Sequence, residues 1–397
     1  MKKRVQILGA GLGDVGQATS DVQHLIKTSP CVYATARLAE QYRKIRSDII
    51  SAPVFELKEQ ILSDEHTEIS VLVSGDVGFF SAAKGLYQSL KEYCDVEFYC
   101  GINCMQYFFS KIKRSYENIK IVSLHGRDGS LLGAASYCPK VFVLTGGTQK
   151  AHDICKTLVE SGMGHVQVTA GENLSMEDER ILSGTAASLS TEIFSDLTVL
   201  FVENKEFADP NIFFSDRDFI RSDIPMTKEE VRFVSLAKLQ VSATDCVYDI
   251  GAGTGSVSIE LAKKARDGLV YAIEHQAEAV DLIRKNRQKL GTYNLIPIQG
   301  EAPFCLEEMP FPNKAFIGGS GGKMDKILSL LFEKNPDIRV VINAVTLETL
   351  HQTLRSLKTL GCTPEVVCLN VSRAKSVGKY SMMEAQNPIY VITGERG

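Results

Sequence analysis

The chemistry most clearly written in this chain lies in a glycine-rich turn and one carboxylate. Asp249-Ile250-Gly251-Ala252-Gly253-Thr254-Gly255 follows a strand-like run and precedes a helical segment, Ser256–Ala265. Glycines at such a junction let the backbone turn sharply and approach a ligand closely. The next strand-like run, Leu269–Ile273, ends in Glu274, where a carboxylate can accept hydrogen bonds from both hydroxyls of a ribose. The pair predicts a nucleoside site built from Asp249, Gly251, Gly253, Thr254, Gly255 and Glu274. Two later strand-like runs lead into Gly300-Glu301-Ala302-Pro303 and into Phe316-Ile317-Gly318-Gly319-Ser320-Gly321-Gly322, which add Glu301, Ala302, Gly318 and Gly319 as candidates.

Near the start, Gly9-Ala10-Gly11-Leu12-Gly13-Asp14-Val15-Gly16 imitates the same turn, but the following run, Cys31–Ala34, leads into Thr35-Ala36-Arg37 with no carboxylate for a ribose. A dinucleotide is therefore disfavoured there. Gly11, Gly13 and Asp14 nevertheless form one polar turn, and Gly75 and Asp76 form a second within Ser74-Gly75-Asp76-Val77-Gly78-Phe79. A histidine and an arginine, His125 and Arg127, close the run Ile121–Arg127; taken alone, a histidine there reads as structural. Ten cysteines are scattered without a CxxC and without zinc-ligand spacing to the seven histidines, so buried thiols in a reduced, cytoplasmic protein without a structural metal are expected.

The elements that must position these residues alternate between strand and helix, the pattern of α/β units on largely parallel sheets. Val5–Leu8, Ser70–Val73, Lys140–Leu144 and Leu197–Glu203 mark one cycle. Cys246–Ile250, Leu269–Ile273, Leu295–Ile298, Ala315–Ile317 and Arg339–Asn343 mark another. Between them Asn204–Ile224 is charged and Asp-rich, with Pro210 inside it and Pro225 just beyond. The expected domains are 1–203 and 225–397, joined by a linker at 204–224. Thr227 with Glu230 reads as a capping box opening a helix with Val231, Val234, Ala237 and Val241 on one face. Pro364–Ser372 and Pro388–Thr393, separated by the polar stretch Arg373–Gln386, read as an antiparallel pair closing the second sheet.

With 44 Lys and Arg against 48 Asp and Glu the chain carries −4, and neither half is net positive, which argues against nucleic acid as a partner. No apolar run approaches the roughly 20 residues of a membrane span. Met1-Lys2-Lys3-Arg4 resembles the basic start of a secretory signal, but the glycine-rich stretch and Asp14 interrupt any apolar segment, so a first strand is expected instead.

The acidic residue that opens the Asp249 motif is the form seen in class I S-adenosylmethionine methyltransferases. Ile224–Arg232, Asp249–Glu260, Gly300–Pro303, Phe316–Gly322 and Asn343–Glu348 closely resemble the C-terminal decarboxylating methyltransferase of corrin biosynthesis, with Glu301 where that family has Asp. Residues 4–203 resemble the tetrapyrrole methylases, with Leu12 and Val77 in place of prolines in the two polar turns. Within that half, Ser123-Leu124-His125-Gly126-Arg127, Gly171–Ser175 and Glu179-Arg180-Ile181 are similar to the C5-methylating corrin branch.

The resemblance implies a tetrapyrrole methylase fold of two α/β subdomains followed by a Rossmann-like methyltransferase domain, in the order of the fused bifunctional enzyme. It implies S-adenosylmethionine as cofactor and a precorrin or cobalt-precorrin macrocycle as substrate. The expected reactions are methylation at C5 and C15 and loss of carbon dioxide from the C12 acetate. His125, Arg127 and Arg232 become expected active-site residues. Arg37, Lys228, Arg373, Lys375 and Lys379 become further candidates for the substrate's carboxylates, and a homo-oligomer is expected. Two other readings stand beside it: an RNA or protein methyltransferase using only the second half, and a non-catalytic S-adenosylmethionine-binding regulator.

Overall fold

In the computed structural model, which describes residues 2–124, 131–147 and 149–396, the chain forms two compact units. One comprises Met1–Arg127, Phe142–Ile154 and Val168–Phe201; the other comprises Asp128–Val141, Cys155–Gln167 and Val202–Gly397. The division is discontinuous in sequence, because helix Leu131–Tyr137 packs in the second unit. There Tyr293 N donates to Ser136 Oγ at 2.9 Å and Tyr137 OH to Asn294 Oδ1 at 2.8 Å.

The first unit opens with a five-stranded sheet: β1 (Lys3–Gly9), β2 (Cys31–Ala34), β3 (Ile50–Ser51), β4 (Glu68–Val73) and β5 (Cys94–Tyr99), in the order β3-β2-β4-β1-β5 and parallel throughout. Alternate residues feed opposite faces, as the two-residue period of a strand requires. Val5, Ile7, Tyr33, Ile69 and Val71 enter one core, while Leu8, Val32, Ala34 and Leu72 enter the other. Burial on both faces explains why these strands read as nearly continuous apolar runs. A second sheet contains β6 (Lys120–Ser123), β7 (Lys140–Leu144), β8 (Gln167–Glu172), β9 (Arg180–Thr185) and β10 (Thr198–Glu203), in the order β6-β7-β10-β8-β9. The aromatic cluster Phe108, Phe109, Phe142 and Phe201 packs within this unit.

The second unit is built on seven strands: β11 (Cys246–Ile250), β12 (Leu269–Glu274), β13 (Leu295–Gln299), β14 (Lys314–Ile317), β15 (Arg339–Ala344), β16 (Glu365–Leu369) and, after an intervening ribbon, β19 (Ile389–Gly394). The ribbon is β17 (Ser372–Val377) paired with β18 (Tyr380–Ala385). The sheet order is β13-β12-β11-β14-β15-β19-β16, parallel from β13 to β15 and antiparallel at β19. The expected closing pair is therefore β16 with β19. The polar stretch between them, expected to be a connection, is itself the two-stranded ribbon. Every residue of β18 is exposed, Tyr380, Met382 and Met383 among them, so the ribbon carries no core-facing signature.

The helix after Pro225 runs Glu229–Leu239, capped by Lys228 without a side-chain bond, so the expected Thr227–Glu230 capping box does not form. Glu230 is taken by Arg373 (Nε to Oε1, 3.0 Å), a long-range ion pair that outcompetes the local cap. The expected helical face also shifts. Val231, Arg232, Ser235, Leu236 and Leu239 are buried, while Val241 lies beyond the left-handed cap at Gln240.

Candidate functional site

In the second unit a cleft of about 460 Å3 opens at the carboxyl ends of β11, β12 and β14, where the strand order reverses. That is the place where doubly wound sheets take ligands. Gly251 N and Ala252 N donate to Ile273 O at 3.0 and 3.1 Å, which folds the glycine turn back over β12. Gly251 has φ +73°, and a Cβ there would come within 2.7 Å of Gly319 N. The loops after β11 and β14 can therefore abut only through glycine. Gly253 N donates to Glu274 Oε2 at 3.0 Å, while Glu274 Oε1 accepts from His275 N at 2.9 Å and Gln276 N at 3.1 Å. Gly251, Gly253, Glu274, Glu301, Ala302, Gly318 and Gly319 all line the cleft. Glu301 is exposed and paired with Lys323, whose hydrogen bond and charge hold its carboxyl below the ordinary range.

Three predicted site residues stand behind the wall instead. Thr254 is buried and does not line the cleft; Gly255, at φ +77°, caps helix Ser256–Lys264. Asp249 lies fully buried at the end of β11, with Oδ2 accepting from Ser258 Oγ and Oδ1 unpartnered. Burial, with the nearby Glu274 charge, pushes its carboxyl up to about 7.

The residues present fit a nucleoside-bearing methyl donor. Glu274 is only 7% exposed yet borders the cleft, and Oε2 has given one lone pair to Gly253, leaving another for a hydroxyl. Backbone without side chains borders the same space at Gly251, Gly253, Gly318 and Gly319.

Arg232, expected to meet substrate carboxylates, is 0% exposed and outside the cleft. Nη1 bonds Asp216 Oδ1 and Thr227 O, both at 2.7 Å, Nη2 bonds Phe214 O at 2.8 Å, and the guanidinium lies 4.9 Å from the Phe219 ring centroid. It therefore ties the segment ahead of Pro225 to its helix. Arg373 is engaged by Asp216 and Glu230, and Lys375 by Glu384 at 2.8 Å. Lys379 sits over the Tyr380 ring on the ribbon. Of the expected cations in this half, Lys228 is the one that lines the cleft among the described residues. Asn343, at the end of β15, also lines it; Oδ1 accepts from Ser235 Oγ at 3.1 Å and Nδ2 has no partner. It stood inside a family-like stretch, but a lone amide gives no pattern from which a role could be read.

The first unit has its own cleft, of about 490 Å3. Gly11 and Gly75 exchange backbone hydrogen bonds (Gly11 N to Gly75 O, 3.1 Å; Gly75 N to Gly11 O, 2.7 Å), which clips the two polar turns together. Gly75 borders the cleft, as does Leu12. Asp14 and Asp76 hold loops instead. Asp14 caps Gly16 N at 2.9 Å, and Asp76 accepts from Gly78 N at 2.9 Å and Gly101 N at 3.1 Å. Gly13, at φ +112°, packs against the Gln41 side chain. Arg37 lines the cleft, and Ser123 does so two residues ahead of His125; His125 and Arg127 themselves lie outside the described residues.

Asn103 is a lining residue that the sequence reading missed. Its capping box with Gln106 (Gln106 N to Asn103 Oδ1, 2.9 Å) was visible as Asn-x-x-Gln ahead of an apolar run. On the opposite loop, Glu179 accepts from Tyr107 OH and Ser175 N, both at 2.7 Å, and Glu172 from Arg180 Nε at 2.6 Å. These bonds hold the turn that presents Leu174 and Met176 to the cleft.

A doubly wound sheet with one antiparallel strand, a glycine turn after its first strand and a carboxylate at the end of its second define, in the second unit, a class I S-adenosylmethionine-dependent methyltransferase. Residues 218–395 match the model of the precorrin methyltransferase domain, and residues 4–190 match that of the tetrapyrrole (corrin/porphyrin) methylases. A relative from Pyrobaculum calidifontis, a probable cobalt-precorrin-6B C(15)-methyltransferase (decarboxylating), is 37% identical over 190 residues, 47% of this chain and 96% of that protein. Among solved structures, a precorrin-6Y C5,15-methyltransferase from Geobacter metallireducens is 36% identical, covering 47% of this chain and 97% of its own at a TM-score of 0.45. A uroporphyrin-III C-methyltransferase from Thermus thermophilus, complexed with S-adenosylhomocysteine, is 19% identical, covering 52% and 95% at a TM-score of 0.44. The chain belongs to the precorrin methyltransferase family, with a tetrapyrrole methylase region ahead of that domain.

Proposed function

We propose that this chain methylates a precorrin macrocycle at C5 and C15 and releases carbon dioxide from its C12 acetate, in the formation of the corrin ring. The first region, 1–203, carries the C5 reaction. Residues 225–397 carry methylation at C15 and decarboxylation, and 204–224 links the two. The observation that carries this reading is that each unit holds a separate cleft, the second within the region matched by the precorrin methyltransferase model and the first lined mostly by residues of the region matched by the tetrapyrrole methylase model.

Bound S-adenosylmethionine supplies a methyl group activated by a positively charged sulfur. An enamine-like meso carbon of a reduced tetrapyrrole is already nucleophilic, so the protein's task is alignment, worth several kcal/mol through proximity and orientation. Glu274 receives the ribose hydroxyls, and the abutting turns at Gly251 and Gly319 keep side chains out of the space where the reacting groups meet. Lys228 grips a carboxylate that the product retains. The C12 acetate is left without a strong cationic partner, because pairing would stabilise the carboxylate that must disappear.

In that last step the bond between the acetate methylene and its carboxylate breaks, and carbon dioxide departs. The electron pair enters the conjugated imine system of the ring and is finally protonated at the methylene carbon. The test is to incubate the pure protein with S-adenosylmethionine and a precorrin-6 type substrate and to weigh the product. Gain of two methyl groups and loss of one carbon dioxide is the expected result. Methylation without loss of carbon dioxide overturns the assignment of the second half.

A further inference from the structure

Arg37 stands at the wall of the first cleft, on helix Ala36–Tyr42 just after β2. Of the five donors on a guanidinium, Nη2 gives one to Ser74 Oγ at 2.9 Å. Among the described residues no carboxylate pairs with it. Burial lowers its pKa from the usual value, the response of a charge sheltered from water. A half-buried guanidinium with donors to spare can take a carboxylate as a charge-assisted partner. Asp196, a carboxylate lining this cleft, is held by Lys150 at 3.1 Å.

Phe80 borders the same cleft and is 50% exposed. Its backbone sits at φ +48°, a conformation that bulky residues rarely adopt and that clusters where ligands are clamped. Its ring meets Phe79 edge-on, with centroids 5.1 Å apart and planes at 86°. The wall of the cleft thus carries an aromatic ring braced by its neighbour and a guanidinium that no carboxylate among the described residues pairs with, beside Leu12, Leu174 and Met176.

We infer that Arg37 and Phe80 form the seat of the acceptor macrocycle in the first cleft, Phe80 against its flat face and Arg37 paired with a carboxylate on its rim. The inference rests on the reading that this cleft methylates a polycarboxylate tetrapyrrole. A flat, apolar ring edged with acids meets both features at once. The carboxylate of the methyl donor is the other source of the same chemistry, and the experiment separates the two.

Full-length Arg37→Ala, Arg37→Gln, Arg37→Lys and Phe80→Leu are compared with the unaltered chain. Macrocycle binding is followed by its visible absorption, C5-methylated product by mass, and S-adenosylhomocysteine binding by calorimetry. Arg37→Ala and Arg37→Gln are expected to weaken macrocycle binding about ten-fold or more. Donor affinity should not change, with Arg37→Lys restoring part of the loss. Phe80→Leu is expected to weaken binding and to shift the absorption band of the bound ring. Retained donor binding serves as the measure of intact fold.

Loss of donor affinity with unchanged macrocycle binding assigns Arg37 to the donor's carboxylate and overturns the seat. No change in either affinity overturns both. An unaltered chain that forms no C5-methylated product overturns the underlying reading instead, a result distinct from any behaviour of the variants.

Discussion

At the end of β11, Asp249 has one carboxylate oxygen bonded by Ser258 Oγ and the other without a partner, in a position with no solvent exposure. An aspartate in an unfolded chain titrates near 3.9, whereas burial and the Glu274 charge raise this one to about 7. The folded state therefore holds the proton more tightly than the unfolded state. Stability is lost as pH rises from about 4 to about 7 and is not regained above that. Asp249→Asn removes the titration while keeping the shape. The variant is expected to be more stable than the unaltered chain by an amount on the order of 1 kcal/mol or more at pH 8, with the difference vanishing near pH 4. Urea unfolding at the two pH values checks this, and an equal difference at both would show that ionisation of Asp249 is not its origin. Arg232 illustrates the opposite case at the same scale, since its charge is buried but answered by Asp216 and two carbonyls.

At the scale of elements, loops cross through glycines that only their neighbours explain. Gly101 follows β5, and a Cβ placed on it would lie 2.4 Å from both Gly9 O and Gly75 O, so the ends of β1, β4 and β5 meet with no room for a methyl group. Gly101→Ala must push these backbones apart and is expected to destabilise the first unit by about 1–3 kcal/mol. Gly85, inside helix Ala83–Leu90, has nothing within 4 Å of a Cβ, and Gly85→Ala is expected to stabilise by about 0.5–1 kcal/mol through helix propensity. Thermal unfolding of the two variants should move in opposite directions.

The contrast also marks what the sequence could reveal. Every parallel strand buried on both faces, such as β1, β4, β11 and β15, stood out as an apolar run, and the turn at Gly251 was legible because Glu274 followed at the end of the next strand. Gly101 lacked any such partner nearby in sequence, since its constraint comes from residues far along the chain. Arg232 was assigned outward for the same reason. Its counter-charge, Asp216, lies in the segment read only as a linker, and β17 and β18 were hidden because neither strand faces a core.

For the molecule as a whole, a net charge of −4 offers no general attraction to a polycarboxylate ring, so the proposed function requires capture by local cations such as Arg37 and Lys228 and two donor sites in separate clefts. Glu274 makes the second of these separable by a single substitution. Both of its oxygens accept backbone N–H groups, from Gly253 on one side and from His275 and Gln276 on the other. A glutamine can satisfy only one side, because its NH2 group must face donors on the other. Glu274→Gln therefore loses the charge and disturbs the turn at Gly253. It is expected to weaken donor binding in the second cleft by about 10–100-fold, the cost of a lost charge-assisted hydrogen bond. Calorimetric titration with S-adenosylhomocysteine should count two molecules per unaltered chain and one tight molecule per Glu274→Gln chain, with C5 methylation retained and C15 methylation lost. A single binding event in the unaltered chain would refute the presence of two donor sites, and loss of both events in the variant would show that they do not act independently.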